Sequence, residues 1–86
     1  MIENKILIID DDADLRQLAG MLFKRAGAQI FTAQDGLDGM SKLFTCNPSL
    51  IILDVVMPEV NGFEVCQRIR QVSDIPIIML TSLNEE

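Results

Sequence analysis

Lys5-Ile6-Leu7-Ile8-Ile9-Asp10-Asp11-Asp12 runs through four aliphatic side chains in a row and stops on three carboxylates. An apolar run without alternation has no side to turn to water, so it reads as a strand covered on both faces, the signature of a parallel sheet with helices above and below. Two further runs have the same character, Leu50-Ile51-Ile52-Leu53 and Ile75-Pro76-Ile77-Ile78-Met79-Leu80, and a weaker one, Gln29-Ile30-Phe31-Thr32, lies between the first and second. The four recur at roughly two dozen residues, the interval of a strand-helix repeat.

The segments between them carry the helical period. Leu15, Leu18, Ala19, Leu22 and Phe23 fall on one face of a first helix, with Asp12 as its N-cap and Gly27 as its stop. Leu37, Met40, Leu43 and Phe44 mark a second, capped by Asp35 and ended by Asn47-Pro48. Met57-Pro58-Glu59-Val60-Asn61-Gly62 reads as loop, after which Phe63, Cys66 and Ile69 mark a third helix that closes before Ser73-Asp74. Gly20 and Gly39 sit inside helices at a cost of about 1 kcal/mol each relative to Ala, for which close helix packing is the expected reason. Strand and helix in alternation give a doubly wound α/β fold whose functional loops gather beyond the carboxyl ends of the strands.

Composition narrows the function. The chain has 86 residues, 49% of them hydrophobic, with seven basic and thirteen acidic side chains and a net charge of -6. That balance is one compact core with no direct nucleic-acid partner and no anionic membrane surface as ligand. Its apolar runs are too short to span a bilayer and Met1–Lys5 lack the layout of a signal peptide, so the expected location is the cytoplasm. Cys46 and Cys66 lie in apolar helical patterns without CxxC spacing and read as buried thiols. His is absent, which removes the commonest general base, the usual zinc ligand and every His-activated nucleophile.

At the strand ends stand Asp10-Asp11-Asp12, Asp54 and Thr81-Ser82. With the first and third strands as neighbours, in the order 2-1-3-4, Asp10, Asp11 and Asp54 converge where the winding direction reverses. Two carboxylates about 4 Å apart repel by roughly 4 kcal/mol at an effective dielectric of about 20, so such a cluster calls for a cation. Oxygen ligands without Cys or His select Mg²⁺, Mn²⁺ or Ca²⁺ over zinc. Asp10, Asp12 and Asp14 also have the spacing that opens an EF-hand loop, but Leu15 and Met21 stand where that loop requires Gly and Glu. Taken singly, the acidic residues have plainer readings as caps and turn residues. For Asp12 the cap reading is preferred.

Three stretches taken together, Ile6 to Asp12, Ile51 to Gly62 and Pro76 to Ser82, resemble in order and spacing the signatures of the receiver domain of bacterial two-component response regulators. The resemblance covers the whole chain. It implies a flavodoxin-like doubly wound parallel sheet of order 2-1-3-4 and a single receiver domain over residues 1–86. It further implies that Asp54 accepts a phosphoryl group from a sensor histidine kinase or phosphotransfer protein, so that the chain is modified by a partner and is not itself an enzyme. Asp11 would ligate Mg²⁺ (or Mn²⁺) directly, Asp10 largely through water, and the backbone carbonyl of Val56 and Asp54 would complete the metal site. Thr81 would be the hydroxyl that reports the modification.

The chain also departs from that family. It ends at Glu86, before the last helix-strand-helix, and no Lys follows Asp54, whereas a full receiver carries a Lys and an aromatic residue in that part. The expectations are a fragment of a longer gene product whose output domain lies beyond residue 86, impaired phosphorylation, and self-association of the truncated chain through the apolar edge Ile75–Leu80. Val56 and Leu83 flank the phosphoryl site, and being apolar they orient no water, so phosphate loss in the full-length parent should be slow. The competing function is an assembly module that keeps the acidic cluster without using it. A metal-dependent phosphohydrolase would place an acid-base carboxylate where this chain has Val56.

Overall fold

The computed structural model describes residues 4–57 and 61–80. Along them run β1 (Lys5–Ile9), α1 (Ala13–Arg25), β2 (Gln29–Ala33), α2 (Gly36–Cys46), β3 (Leu50–Asp54), α3 (Gly62–Arg70) and β4 (Ile77–Leu80). The strands form one parallel sheet in the order β2-β1-β3-β4. This is the flavodoxin-like doubly wound architecture that the resemblance implies.

Alternate residues of the central strands feed two cores. Leu7, Ile9, Ile51 and Leu53 pack with Leu43 of α2 and with Val65 and Ile69 of α3. Ile6, Ile8 and Ile52 face the other way, toward Ala19 and Phe23 of α1. Burial on both faces is why β1 and β3 show no alternation in sequence.

The strand bounds differ slightly from the sequence reading. β2 continues to Ala33 and β3 to Asp54, whereas β4 begins at Ile77 and not Ile75. Pro76 has no amide to donate, and it joins the ladder only through its carbonyl, which accepts from Ile51 (3.0 Å). Ile75 is held in the preceding turn by Ser73 Oγ (3.1 Å).

The caps are as expected and the buried helix faces are not. Asp12 and Asp35 each accept amides of the first turn, and Gly27 takes φ +100° just past α1, a left-handed conformation natural to glycine. In α2 the buried stripe is Gly36, Gly39 and Leu43, while Leu37 and Phe44 point outward at 83% and 66% exposure. The stripe is shifted because α2 approaches β1 through Gly39 and α3 through Gly36. A Cβ at Gly39 would lie 2.5 Å from Ile9 Cδ1, so close packing does explain that residue. It does not explain Gly20, where a Cβ would meet only Ile30 Cγ2 at an ordinary 3.5 Å. In α3, Val65 and Ile69 are buried and Phe63 is exposed. Leu15, Leu18 and Leu22 of α1 are likewise exposed, leaving Ala19 and Phe23 to pack on the sheet. Cys46 and Cys66 are free and half-buried, less enclosed than the buried thiols expected.

The sheet's two edges are finished differently. On the β2 side, Lys42 of α2 donates to the Thr32 carbonyl and pairs with Asp38 at 3.5 Å, blunting that edge with a charge. On the β4 side, Ile78 and Leu80 are about half exposed. No helix of the described residues is long and apolar enough to cross a membrane.

Gly62 is the tightest position. Its amide donates to the Val55 carbonyl at 2.7 Å, and a Cβ there would overlap the Asp54 carbonyl oxygen and stand 2.6 Å from Val55 Cα. Backbone cannot rotate away as a side-chain tip can, so Gly62→Ala should cost about 2–3 kcal/mol of stability. Gly20→Ala has room, and should add about 0.5–1 kcal/mol through helix propensity. Urea midpoints of the two variants, measured beside the parent chain, should therefore move in opposite directions.

Candidate functional site

β1 and β3 run side by side with Ile9 opposite Leu53, so the residues that follow, Asp10 and Asp54, emerge together at the carboxyl edge. Asp10 continues the ladder for one more bond, its amide donating to the Ala33 carbonyl at 3.0 Å. It is 5% exposed and is the buried charged residue of the described chain. Its Oδ1 accepts the Asp12 amide (2.9 Å) and its carbonyl accepts Arg16 Nη1 (2.7 Å). Asp54 closes β3 half-buried, with Oδ1 accepting the Val56 amide at 3.2 Å. Asp11 is exposed and projects from the loop between them.

Carboxylate oxygens of Asp10, Asp11 and Asp54 lie within 4.8 Å of one another. Asp12 is adjacent in sequence but differently engaged, its Oδ1 taking the Asp14 and Leu15 amides at 2.9 and 3.3 Å as the cap of α1. The structure thus brings together three of the four clustered acids and assigns the fourth to the helix, as the cap reading anticipates.

The electrostatics are unbalanced. Burial is the main cause that pushes the Asp10 carboxyl above its ordinary value; repulsion from Asp54 and Asp11 adds to it, and the hydrogen bond from the Asp12 amide works against it. The ion pairs of the described residues are Lys42 with Asp38 and Arg68 with Glu64, and neither touches the cluster. A divalent cation fits this donor set: three converging carboxylates, no sulfur or imidazole, and negative charge that no side chain neutralises. The amide of Val56 turns toward Asp54, and its side chain is 60% exposed.

Thr81 and Leu83 lie outside the described residues, as do Pro58, Glu59 and Val60. Leu80, the neighbour of Thr81, pairs with Asp54 and accepts the Val55 amide at 2.9 Å. Arg16 is the contact that sequence reasoning missed. Its only signal is position, four residues past a capping Asp, from where a long side chain leans back over the start of its helix.

Comparison with known proteins agrees with this geometry. The family model described as the response regulator receiver domain matches residues 6–86. The transcriptional regulatory protein ResD of Bacillus subtilis is 43% identical over 84 residues, covering 98% of this chain and 35% of ResD. Among solved structures, the chemotaxis protein CheY4 of Vibrio cholerae superimposes with a TM-score of 0.91 at 33% identity, covering 98% of this chain and 72% of that one. The response regulator TrrA of Thermotoga maritima, solved in complex with Mg²⁺ and BeF, gives a TM-score of 0.85 at 37% identity over 91% of this chain and 69% of that one. The chain spans about a third of the length of the curated relatives it matches. With the sheet order, the acidic cluster at its carboxyl edge and the family match in agreement, the chain belongs to the response regulator receiver domain family.

Proposed function

We propose that residues 1–86 act as a phosphoryl-accepting receiver, with Asp54 as the acceptor. The observation that carries the reading is the convergence of the Asp10, Asp11 and Asp54 carboxylates within 4.8 Å at the carboxyl edge of a parallel sheet. A carboxylate oxygen of Asp54 attacks phosphorus, forming the O–P bond of an aspartyl phosphate as the N–P bond to a phosphohistidine of the donor breaks. The donor is a sensor histidine kinase or phosphotransfer protein, met in the cytoplasm. Asp10, Asp11, Asp54 and the Val56 carbonyl would hold Mg²⁺, or Mn²⁺ in its place. When bound, the cation draws charge off the phosphoryl oxygens. The Val56 amide orients the Asp54 carboxylate. Thr81 is the hydroxyl that senses the phosphoryl group, passing the signal to a partner or output domain.

The exposed apolar strip of Leu15, Leu18 and Leu22 on α1, beside Ile78 and Leu80 of β4, favours self-association of this chain as well. Light scattering at high micromolar concentration should report more than a monomer; a clean monomer there would remove this part of the reading.

Two measurements bear on the acceptor site. Incubated with acetyl phosphate and Mg²⁺, the chain, which has no Lys after Asp54, should gain only a slow and incomplete hydroxylamine-sensitive phosphoryl label, lost in Asp54→Asn and absent when the metal is chelated. Labelling that persists in Asp54→Asn would move the acceptor elsewhere. The second measurement concerns Asp10, whose raised carboxyl binds a proton more readily folded than unfolded. The resulting stabilisation is complete below the unfolded value and disappears as pH rises through the folded one, so ionised Asp10 weighs against the fold at neutral pH. Asp10→Asn should therefore stabilise the metal-free chain at neutral pH, read as a higher urea midpoint than the parent's. That advantage should shrink on acidification and vanish in saturating Mg²⁺.

A further inference from the structure

Asp11 is exposed, and among the described residues no donor reaches its carboxylate. The point from which its side chain leaves is therefore set by its backbone alone. That backbone hangs between two fixed points, the Asp10 amide bonded to Ala33 and the Asp12 side chain capping α1. Two peptide planes lie between them. The plane joining Asp11 to Asp12 is held by the Asp12 amide on Asp10 Oδ1 at 2.9 Å. The plane joining Asp10 to Asp11 is held at its carbonyl by Arg16 Nη1 at 2.7 Å. Because each peptide is planar, holding both planes fixes the Asp11 N, Cα and C, and with them the direction of its Cα–Cβ bond.

We propose that Arg16 is a positioning residue for the cation site, holding the Asp10–Asp11 peptide so that Asp11 projects toward Asp10 and Asp54. The inference rests on the metal reading given above. The Arg16 amide makes the first helical bond, to the Asp12 carbonyl at 3.0 Å, and side chains at that point lean toward the helix N-terminus. The guanidinium thus returns to the loop that α1 has just left. It is directed at a neutral carbonyl and forms no ion pair among the described residues. The cluster consequently keeps its negative charge for a cation, while the loop gains a charge-assisted bond. Outer partners that orient a metal ligand are typically worth about 10–100-fold in affinity.

The test uses Arg16→Lys, which keeps the charge but shortens and reshapes the donor, and Arg16→Gln, which removes the charge. In the metal-free chain, amide exchange at Asp12 should quicken about tenfold in both variants, while Ile8 and Ile52 in the central strands exchange as before. In calorimetric titration with Mg²⁺ alone, the dissociation constant of Arg16→Lys should rise about tenfold. A purely structural Arg16 would instead quicken exchange at Asp12, Ile8 and Ile52 alike, or leave the Mg²⁺ affinity of Arg16→Lys at the parent value. Either outcome overturns the inference and leaves the acceptor reading intact. A parent chain that takes up no Mg²⁺ at all overturns the metal reading, and the inference with it.

Discussion

The parallel pairing of β1 with β3 is the constraint on which the rest of the molecule depends. It places Ile9 against Leu53, and one residue further along each strand it sets Asp10 beside Asp54 at the same edge. The pairing is secured from both faces at once, by Leu7, Ile9, Ile51 and Leu53 on one side and Ile6, Ile8 and Ile52 on the other. Burial on that scale, at about 25 cal/mol for each Å² of apolar surface removed from water, is what permits the chain to bring like charges together at the strand ends. The acidic cluster is therefore a property of the sheet, and the loops only refine it.

The refinement is unequal among the three acids. Asp10 is the most constrained, with its amide, its carbonyl and one carboxylate oxygen all engaged. Asp54 is held by the ladder on one side and by the Val56 amide on the other. Asp11 has freedom in its side chain but little in its backbone. A cluster built this way has one rigid carboxylate, one aimed by a backbone amide and one that is adjustable. Gly62 ties that arrangement to α3, because its amide bonds to Val55 and its Cα lies against the Asp54 carbonyl with no room for a methyl group.

Much of this was legible in the residues themselves. Unbroken aliphatic runs ending in Asp located β1 and β3 and placed their carboxylates at one edge, and Asp12 and Asp35 announced their helices by capping chemistry. What periodicity could not supply was the angle at which each helix meets the sheet. In α2 the hydrophobic residues Leu37 and Phe44 suggested a face that the glycines displaced, since a helix approaches most closely where side chains are absent. In α3 the same ambiguity exchanged Phe63 for Val65. Arg16 escaped notice because its partner is a backbone carbonyl, which leaves no mark in the sequence. The sheet order needed the match of three motifs, since apolar runs alone do not say which strands are neighbours.

The contrast between the two edges of the sheet has a consequence for geometry of assembly. Lys42 seals the β2 side by occupying the Thr32 carbonyl with a charged group, whereas β4, the opposite edge among the described residues, carries half-exposed Ile78 and Leu80 without such a seal. An edge that carries a charged side chain on an outward carbonyl is a poorer template for an added strand than one with half-exposed aliphatic side chains. The two margins of the sheet are therefore unequal in how readily they offer backbone and apolar surface to another strand.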